Sequence, residues 1–212
     1  MSSAPALTYD SLISDVISYC ERDDQIFIDQ VPRLIMMCEN KIASEVRGLG
    51  MMKFANTALS ANVPTYEKPA RWRETVSFSF VNAAGTRVYL KERGYEYCRV
   101  YWPSVATPGT PKFYANYDYE HFLVVATPDI NYEAEFCYYE RPEPLSSSNQ
   151  ESWTTQYAPQ LLLYGTLLEA QPFLKRPERI AEFKPLYDEA VANVKTESTR
   201  RAQDQSATRT DA

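Results

Sequence analysis

A chain of 212 residues with 44% hydrophobic and 24% charged side chains can build one large core, or a core with a satellite domain. Its formal charge of −6 argues against a general binder of nucleic acid or acidic membrane, because such proteins present a net basic surface. The opening M-S-S-A-P-A-L-T-Y-D lacks the basic end and apolar run of a secretory leader, and no later run reaches membrane-spanning length, so a soluble protein made in the cytosol is expected. In that compartment Cys20, Cys38, Cys98 and Cys137, which form no CxxC pair, read as buried free thiols.

Taken in order, the first helix is marked by Tyr9, Leu12, Ile13, Val16, Ile17 and Cys20 at helical spacing, with Thr8 as N-cap and Leu7 stapled onto Leu12. A polar break at Glu21 to Asp24 leads to Ile26, Phe27 and Ile28. Pro32 then opens a second main helix whose apolar side is Leu34, Ile35, Cys38, Ile42 and Val46, with Gly48 and Gly50 supplying its stop.

Between Met51 and Leu145 the period changes. Val76, Phe78 and Phe80 alternate with Ser77 and Ser79, a turn at Asn82 to Gly85 follows, and Arg87 to Leu90 returns as the second strand of a hairpin. Glu92 to Trp102 reads as a short helix stopped by Pro103. After a Pro- and Gly-containing loop, Lys112 to Tyr117, Glu120 to Ala126 and Tyr132 to Tyr139 read as three strands. Pro142, Pro144 and Ser146 to Ser148 form a return linker.

Ala158 to Leu174 is the centre of the helical part. Leu161, Leu162, Leu163, Tyr164, Leu167, Leu168, Ala170, Phe173 and Leu174 wrap around a helix instead of forming a stripe, which requires protein on most sides. Thr154 or Thr155 is the expected cap, Pro159 fits the first turn, and Pro172 should kink or end the helix. Arg176-Pro177 restarts a helix carrying Ile180, Phe183, Tyr187, Ala190, Val191 and Val194. Beyond Lys195 no large apolar residue follows, and the tail is expected to be disordered on its own. The fold class is therefore α+β. A helical bundle is built from residues 1–50 and 146–195, residues 51–145 form an inserted, mainly antiparallel β-rich domain, and 196–212 form an extended C-terminal arm.

Chemistry-bearing patterns are few. His121, the lone histidine, stands in a strand without a second His or nearby Cys at metal-ligand spacing, so no metal or cofactor is expected. There is no P-loop, GxGxxG, GxSxG or HExxH, and the chain does not read as an enzyme. Tyr and Trp interleaved with Arg in K-P-A-R-W-R-E and Y-C-R-V-Y-W-P point instead to core plus protein interface, naming Arg71, Trp72, Arg73, Tyr101 and Trp102.

Several stretches carry a family resemblance: E-K-P-A-R-W-R-E-T-V-S-F at 67–78, Y-E-Y-C-R-V-Y-W-P at 95–103, P-K-F-Y-A-N-Y-D-Y-E-H-F at 111–122, Y-Y-E-R-P-E-P-L at 138–145, and the run from Asn149 to Lys175. Together they resemble head-to-tail adaptor (connector) proteins of short-tailed bacteriophages, from about Thr8 to Val194. The resemblance implies a ring of twelve copies in the virion, at the head-tail junction. The ring would join the portal protein to the tail nozzle protein, and double-stranded DNA would pass without sequence-specific binding. It also implies that the C-terminal arm reaches the portal; Arg200 and Arg201 are the candidates for anchoring ion pairs, because arginine forks match carboxylates, and Arg209 is a further interface candidate. Other readings of the same residues are a nozzle or gatekeeper subunit and a carbohydrate-binding tail module using Trp72, Tyr101 or Trp102. A carboxylate-dependent hydrolase is the remaining one.

Overall fold

The computed structural model describes residues 7–47 and 49–206, with backbone only for Leu49 and 201–206. Helices α1 (Tyr9–Cys20), α2 (Gln25–Ile28) and α3 (Val31–Glu45) come first, followed by strands β1 (Met52–Leu59), β2 (Thr65–Glu67), β3 (Trp72–Val81) and β4 (Arg87–Glu92). Then come α4 (Tyr95–Tyr101), β5 (Pro108–Gly109), β6 (Phe113–Asn116), β7 (His121–Val125), β8 (Thr127–Pro128) and β9 (Tyr132–Glu140). The chain closes with α5 (Trp153–Tyr157), α6 (Pro159–Leu174), a 3-10 turn at Pro177–Arg179 and α7 (Ile180–Ser206). Contacts divide these elements into a helical unit, Met1–Met51 with Arg141–Ala212, and a β unit, Met52–Glu140.

In the helical unit α6 packs against α1, α3, α5 and α7. Leu161, Leu162, Leu167, Ala170 and Leu174 are buried on several sides of it, as an all-round apolar helix demands. Leu163, Tyr164 and Leu168 are only half-buried, and Phe173 is exposed. Close approach is possible because Gly165 lacks a side chain. A Cβ there would lie 2.4 Å from Cys38 Sγ on α3 and 3.0 Å from the Tyr187 ring on α7. The Tyr187 hydroxyl donates to Glu45 Oε2 at 2.9 Å, which anchors α7 to the end of α3.

Helix ends correct two expectations. Thr154 and Thr155 do not cap α6: they lie in the separate short helix α5, where Ser152 and Thr155 form a reciprocal capping box, and α6 begins at Ala158 without a side-chain cap. Pro172 does not end α6, which runs on to Leu174 and closes through Lys175 in the left-handed region (φ 55°), whose N–H reaches the carbonyls of Gln171 and Pro172. The tail also differs: α7 continues to Ser206 although, among its side chains described, Val194 is the last one buried. Adding turns to an existing helix costs far less than nucleating one, and the hydroxyls of Thr196 and Thr199 bond back to the Ala192 and Lys195 carbonyls. Gly48, one of the expected helix stops, lies outside the described residues; α3 itself ends at Glu45.

In the β unit seven strands run in the order β1-β9-β3-β4-β6-β7-β2, antiparallel except for β4–β6, and β5 pairs with β8 in a separate parallel bridge. Inward residues from all seven converge on Phe78, Phe80, Tyr114, Phe122, Tyr132, Phe136 and Tyr138. Phe78 meets Phe136 edge-on at 5.1 Å, and Phe80 meets Tyr132 at 4.7 Å. Strands β1 and β2 were not foreseen from the sequence. Val76 does not share the core face with Phe78 and Phe80. A bulge between Thr75 and Ser77 against β9 inserts it as an extra residue and leaves it 47% exposed. Gly85, at φ 75°, completes the β3–β4 turn, where the Asn82 side chain accepts the N–H groups of Ala84 and Thr86.

Two outcomes follow for the helical unit. Gly165→Ala should lower stability by about 1–3 kcal/mol through overpacking, despite alanine's better helix propensity. Cys38→Ala in the same chain should recover part of that loss, a coupling read by urea denaturation of the four-member mutant cycle. The second concerns Glu39 on α3, whose carboxylate accepts the Leu145 N–H at 3.2 Å. Burial outweighs that bond and raises its pKa from 4.5 to about 7. The folded state thus holds a proton that the unfolded state has released, so Glu39 contributes stability below pH 4.5 that is lost as pH rises through about 7. Glu39→Gln keeps an acceptor for Leu145 and should flatten this slope in melting curves taken from pH 5 to 8.

Candidate interaction surfaces

Helix α4 is fixed to the β unit by its inward residue. Cys98 is fully buried with Ala115, Leu123 and Val125, and Trp102 and Phe113 close over them. With Cys98 inward, Tyr97 and Tyr101 share an outer face one turn apart, their rings parallel within 4° at 6.3 Å. Both stand edge-on to Phe113, at 5.6 and 5.0 Å. Arg93 lies over Tyr97 and Phe113, its Cζ 5.8 and 5.7 Å from the ring centres. Arg99 covers Tyr95 at 5.1 Å and donates from Nε to the Tyr95 hydroxyl at 3.0 Å. Tyr95 leans on Tyr117 at 5.8 Å.

This face is open. Tyr95, Tyr97, Tyr101 and Tyr117 are 42%, 48%, 37% and 46% exposed, and Val100 and Tyr119 are each 81% exposed. Among the described residues no carboxylate lies within ion-pair distance of Arg93 or Arg99. Aromatic rings braced by arginines, with guanidinium charge left over, are the chemistry of a protein contact surface.

The residues expected at an interface are distributed differently. Tyr101 belongs to the α4 face. Trp102 beside it is half-buried: its Nε1 donates to the Thr107 carbonyl at 2.9 Å, and a Cβ on Gly109 would come within 3.1 Å of its ring. Trp72 meets Phe122 edge-on at 5.6 Å, gives its Nε1–H to Thr75 and carries the Lys68 ammonium 4.2 Å above its ring. Burial lowers the Lys68 pKa, and the Lys68 ammonium donates to the Asp118 carbonyl at 2.7 Å. Phe122 and Leu123 are neighbours on β7 and point to opposite faces, so Trp72 and Trp102 do not come together.

Arg71, left-handed at φ 58°, donates twice to Glu140 Oε1, at 3.0 and 2.7 Å, and Arg73 is half-buried on β3. Arg200 is exposed on α7, whereas the Arg201 side chain and Arg209 lie outside the described residues. Sequence reasoning missed Arg93, and had Tyr97 and Arg99 only as part of the Y-C-R-V-Y-W-P motif; the usable signal was the Tyr97/Tyr101 spacing on a helix whose Cys98 turns inward.

Other chemistry is muted. His121 Nδ1 contacts Asp118 at 2.9 Å, and the same carboxylate accepts the His121 N–H, as suits a turn into a strand. Burial raises the pKa of all four cysteine thiols, that of Cys38 to about 12. No group of three or more His, Cys, Asp or Glu among the described residues is placed to hold a metal ion. Glu133 and Glu135 share a shallow cleft with Asn56 and Arg87, where Glu135 is tied to Arg87 at 2.8 Å. No helix among the described residues is long and apolar enough to cross a membrane.

The arrangement defines an α+β protein, with residues spent on two cores and on surfaces suited to protein contact. A model of the SU10 adaptor protein family matches residues 7–211, and the chain belongs to that family, the phage head-to-tail adaptors; its role is that of a structural adaptor in the virion. No curated protein matches it.

If Trp102 serves the β unit's own packing, Trp102→Ala should lower the unit's stability by about 2–4 kcal/mol. The more exposed Tyr101→Ala should cost about 1 kcal/mol or less. Chemical denaturation of the two variants side by side checks the contrast.

Proposed function

We propose that twelve copies of this chain form a ring at the head-tail junction, between the portal ring of the DNA-filled head and the tail nozzle. Double-stranded DNA passes through the ring without being read. The observation that carries this is the family match over residues 7–211, which takes in both units and the helix that ends the described chain. An acidic chain suits a conduit, because a share of its −6 charge facing the lumen repels phosphate. The ring performs no reaction and needs no metal or cofactor.

In this reading the helical extension of α7 beyond Val194, with Arg200 and Arg201, and the following residues with Arg209 reach the portal subunits. The support is that no side chain described beyond Val194 is buried in this chain, so the extension is not needed for the core. Arms of modest individual affinity hold well when a ring presents many at once.

Cryo-electron microscopy of the intact particle tests the ring, giving copy number, position and neighbours together. Density for another protein at the head-tail junction, with this chain elsewhere, would remove the reading. Deleting residues 196–212 should leave the monomer's melting temperature nearly unchanged and abolish stable attachment to portal-bearing heads. Normal attachment of the truncated chain would withdraw the docking role of the arm.

A further inference from the structure

The charge of this chain is concentrated in one place. Residues 7–30 hold Asp10, Asp15, Glu21, Asp23, Asp24 and Asp29 against Arg22 alone, a net −5 of the −6 total. Arg22 is already paired with Asp24, whose other oxygen caps α2 by accepting the Phe27 N–H. Asp15, Glu21 and Asp23 have no cation within ion-pair distance among the described residues. Two large apolar side chains stand open among them: Tyr19, one helical turn from Asp15, is 46% exposed, and Ile26 on α2 is 71% exposed. Arg179 reaches this segment, donating to the Tyr19 carbonyl at 3.1 Å, and the carboxylates still outnumber the cations there, so the α1–α2 segment presents negative charge beside uncovered apolar surface.

The α4 face is its chemical counterpart. It has uncovered Tyr95, Tyr97, Val100 and Tyr101, and two guanidinium groups, Arg93 and Arg99, with no carboxylate within ion-pair distance among the described residues, although Glu96 is exposed on the same helix. We propose that the α4 face of one copy docks on the α1–α2 segment of the next. Arg93 and Arg99 would meet Asp15, Glu21 and Asp23 while the tyrosines cover Tyr19 and Ile26. This deepens, and rests on, the ring reading above. Using two different patches, one given and one received, is the head-to-tail geometry that closes rings, whereas a self-complementary patch stops at a dimer. Opposite charges on the two patches align neighbours and penalise pairing of like patches.

The test uses particles carrying the full-length chain, with Tyr97 replaced by the photo-crosslinker p-benzoylphenylalanine. Tyr97 is exposed, and an unchanged melting temperature verifies folding. After irradiation, mass spectrometry should find the crosslink on residues 7–30 of the same protein. Crosslinks to another virion protein, to DNA, or to nothing would overturn the pairing while leaving the chain's place in the particle intact. Particles that lack the chain altogether would overturn the ring reading as well.

A charge swap supplies the second arm. Arg93→Glu with Arg99→Glu should cut the fraction of heads carrying tails by roughly tenfold or more. Adding Asp15→Lys and Asp23→Lys to the same chain should restore most of it. An unaffected double variant, or a quadruple variant that is not rescued, would each overturn the proposal.

Discussion

A helix with no polar face can exist only inside other protein, and the rest of the helical unit follows from that requirement at α6. Its partners come from both ends of the chain, α1 and α3 from the first residues and α5 and α7 from the last. The chain must therefore leave the bundle at Met51 and return to it at Arg141, which makes the β unit an insertion. Gly165 is where the requirement is tightest, since Cys38 and Tyr187 occupy the space a side chain would take. The polar groups that α6 carries inward are bonded within the helix: Thr166 donates to the Leu162 carbonyl at 2.8 Å and Gln171 Nε2 to the Leu167 carbonyl at 2.8 Å. Only Gln171 Oε1 is left without a partner among the buried side-chain atoms described.

The β unit solves the same problem with different material. Its core is largely aromatic, and the edge-on and tilted ring pairs around Phe78, Phe122 and Phe136 let a few large side chains fill the interior of one small rolled sheet. Tyrosines of the same kind line the outer side of α4, with no strand laid across them. Inside and outside are distinguished by neighbours, not by residue type. Cys98 turns one side of α4 into core, Tyr97 and Tyr101 flank it half-open against Phe113, and Val100 stands on the far side.

This explains what was legible in the chain and what was not. The α+β class, the two N-terminal helices, the central helix at 158–174 and the strands read at 76–80, 87–90, 112–117, 120–126 and 132–139 could be read, because each rests on periodicity that burial imposes. Strand β1 could not: M-K-F-A-N-T-A-L lies at a sheet edge, mostly exposed, and Phe54 points out with 63% exposure, so no alternation develops. Val76 misled because a bulge shifts its face without altering the sequence pattern. At the surface, Trp72 and Trp102 drew notice as aromatic anchors, yet both also pack into their own unit, bonding to nearby Thr75 and Thr107 and meeting residues far along the chain. Arg93 went unnoticed because its stacking partner Phe113 is twenty residues away and reaches it only through the β4–β6 pairing.

The division between folding residues and surface residues bears on how an adaptor can work. Groups that hold the two cores are buried and paired at short range, so they are worth kilocalories each and tolerate little change. Exposed arginines and carboxylates such as Arg93, Arg99, Asp15 and Asp23 are each worth about 1 kcal/mol or less in a solvated contact and weaken with salt. In a closed ring, however, every copy meets two neighbours and no contact can open alone without straining the rest, so weak and reversible contacts add to a firm assembly. In the proposed ring, weakness per contact would be useful: misplaced copies would dissociate before closure, and the concentration of charge in residues 7–30 would favour the correct arrangement at each encounter.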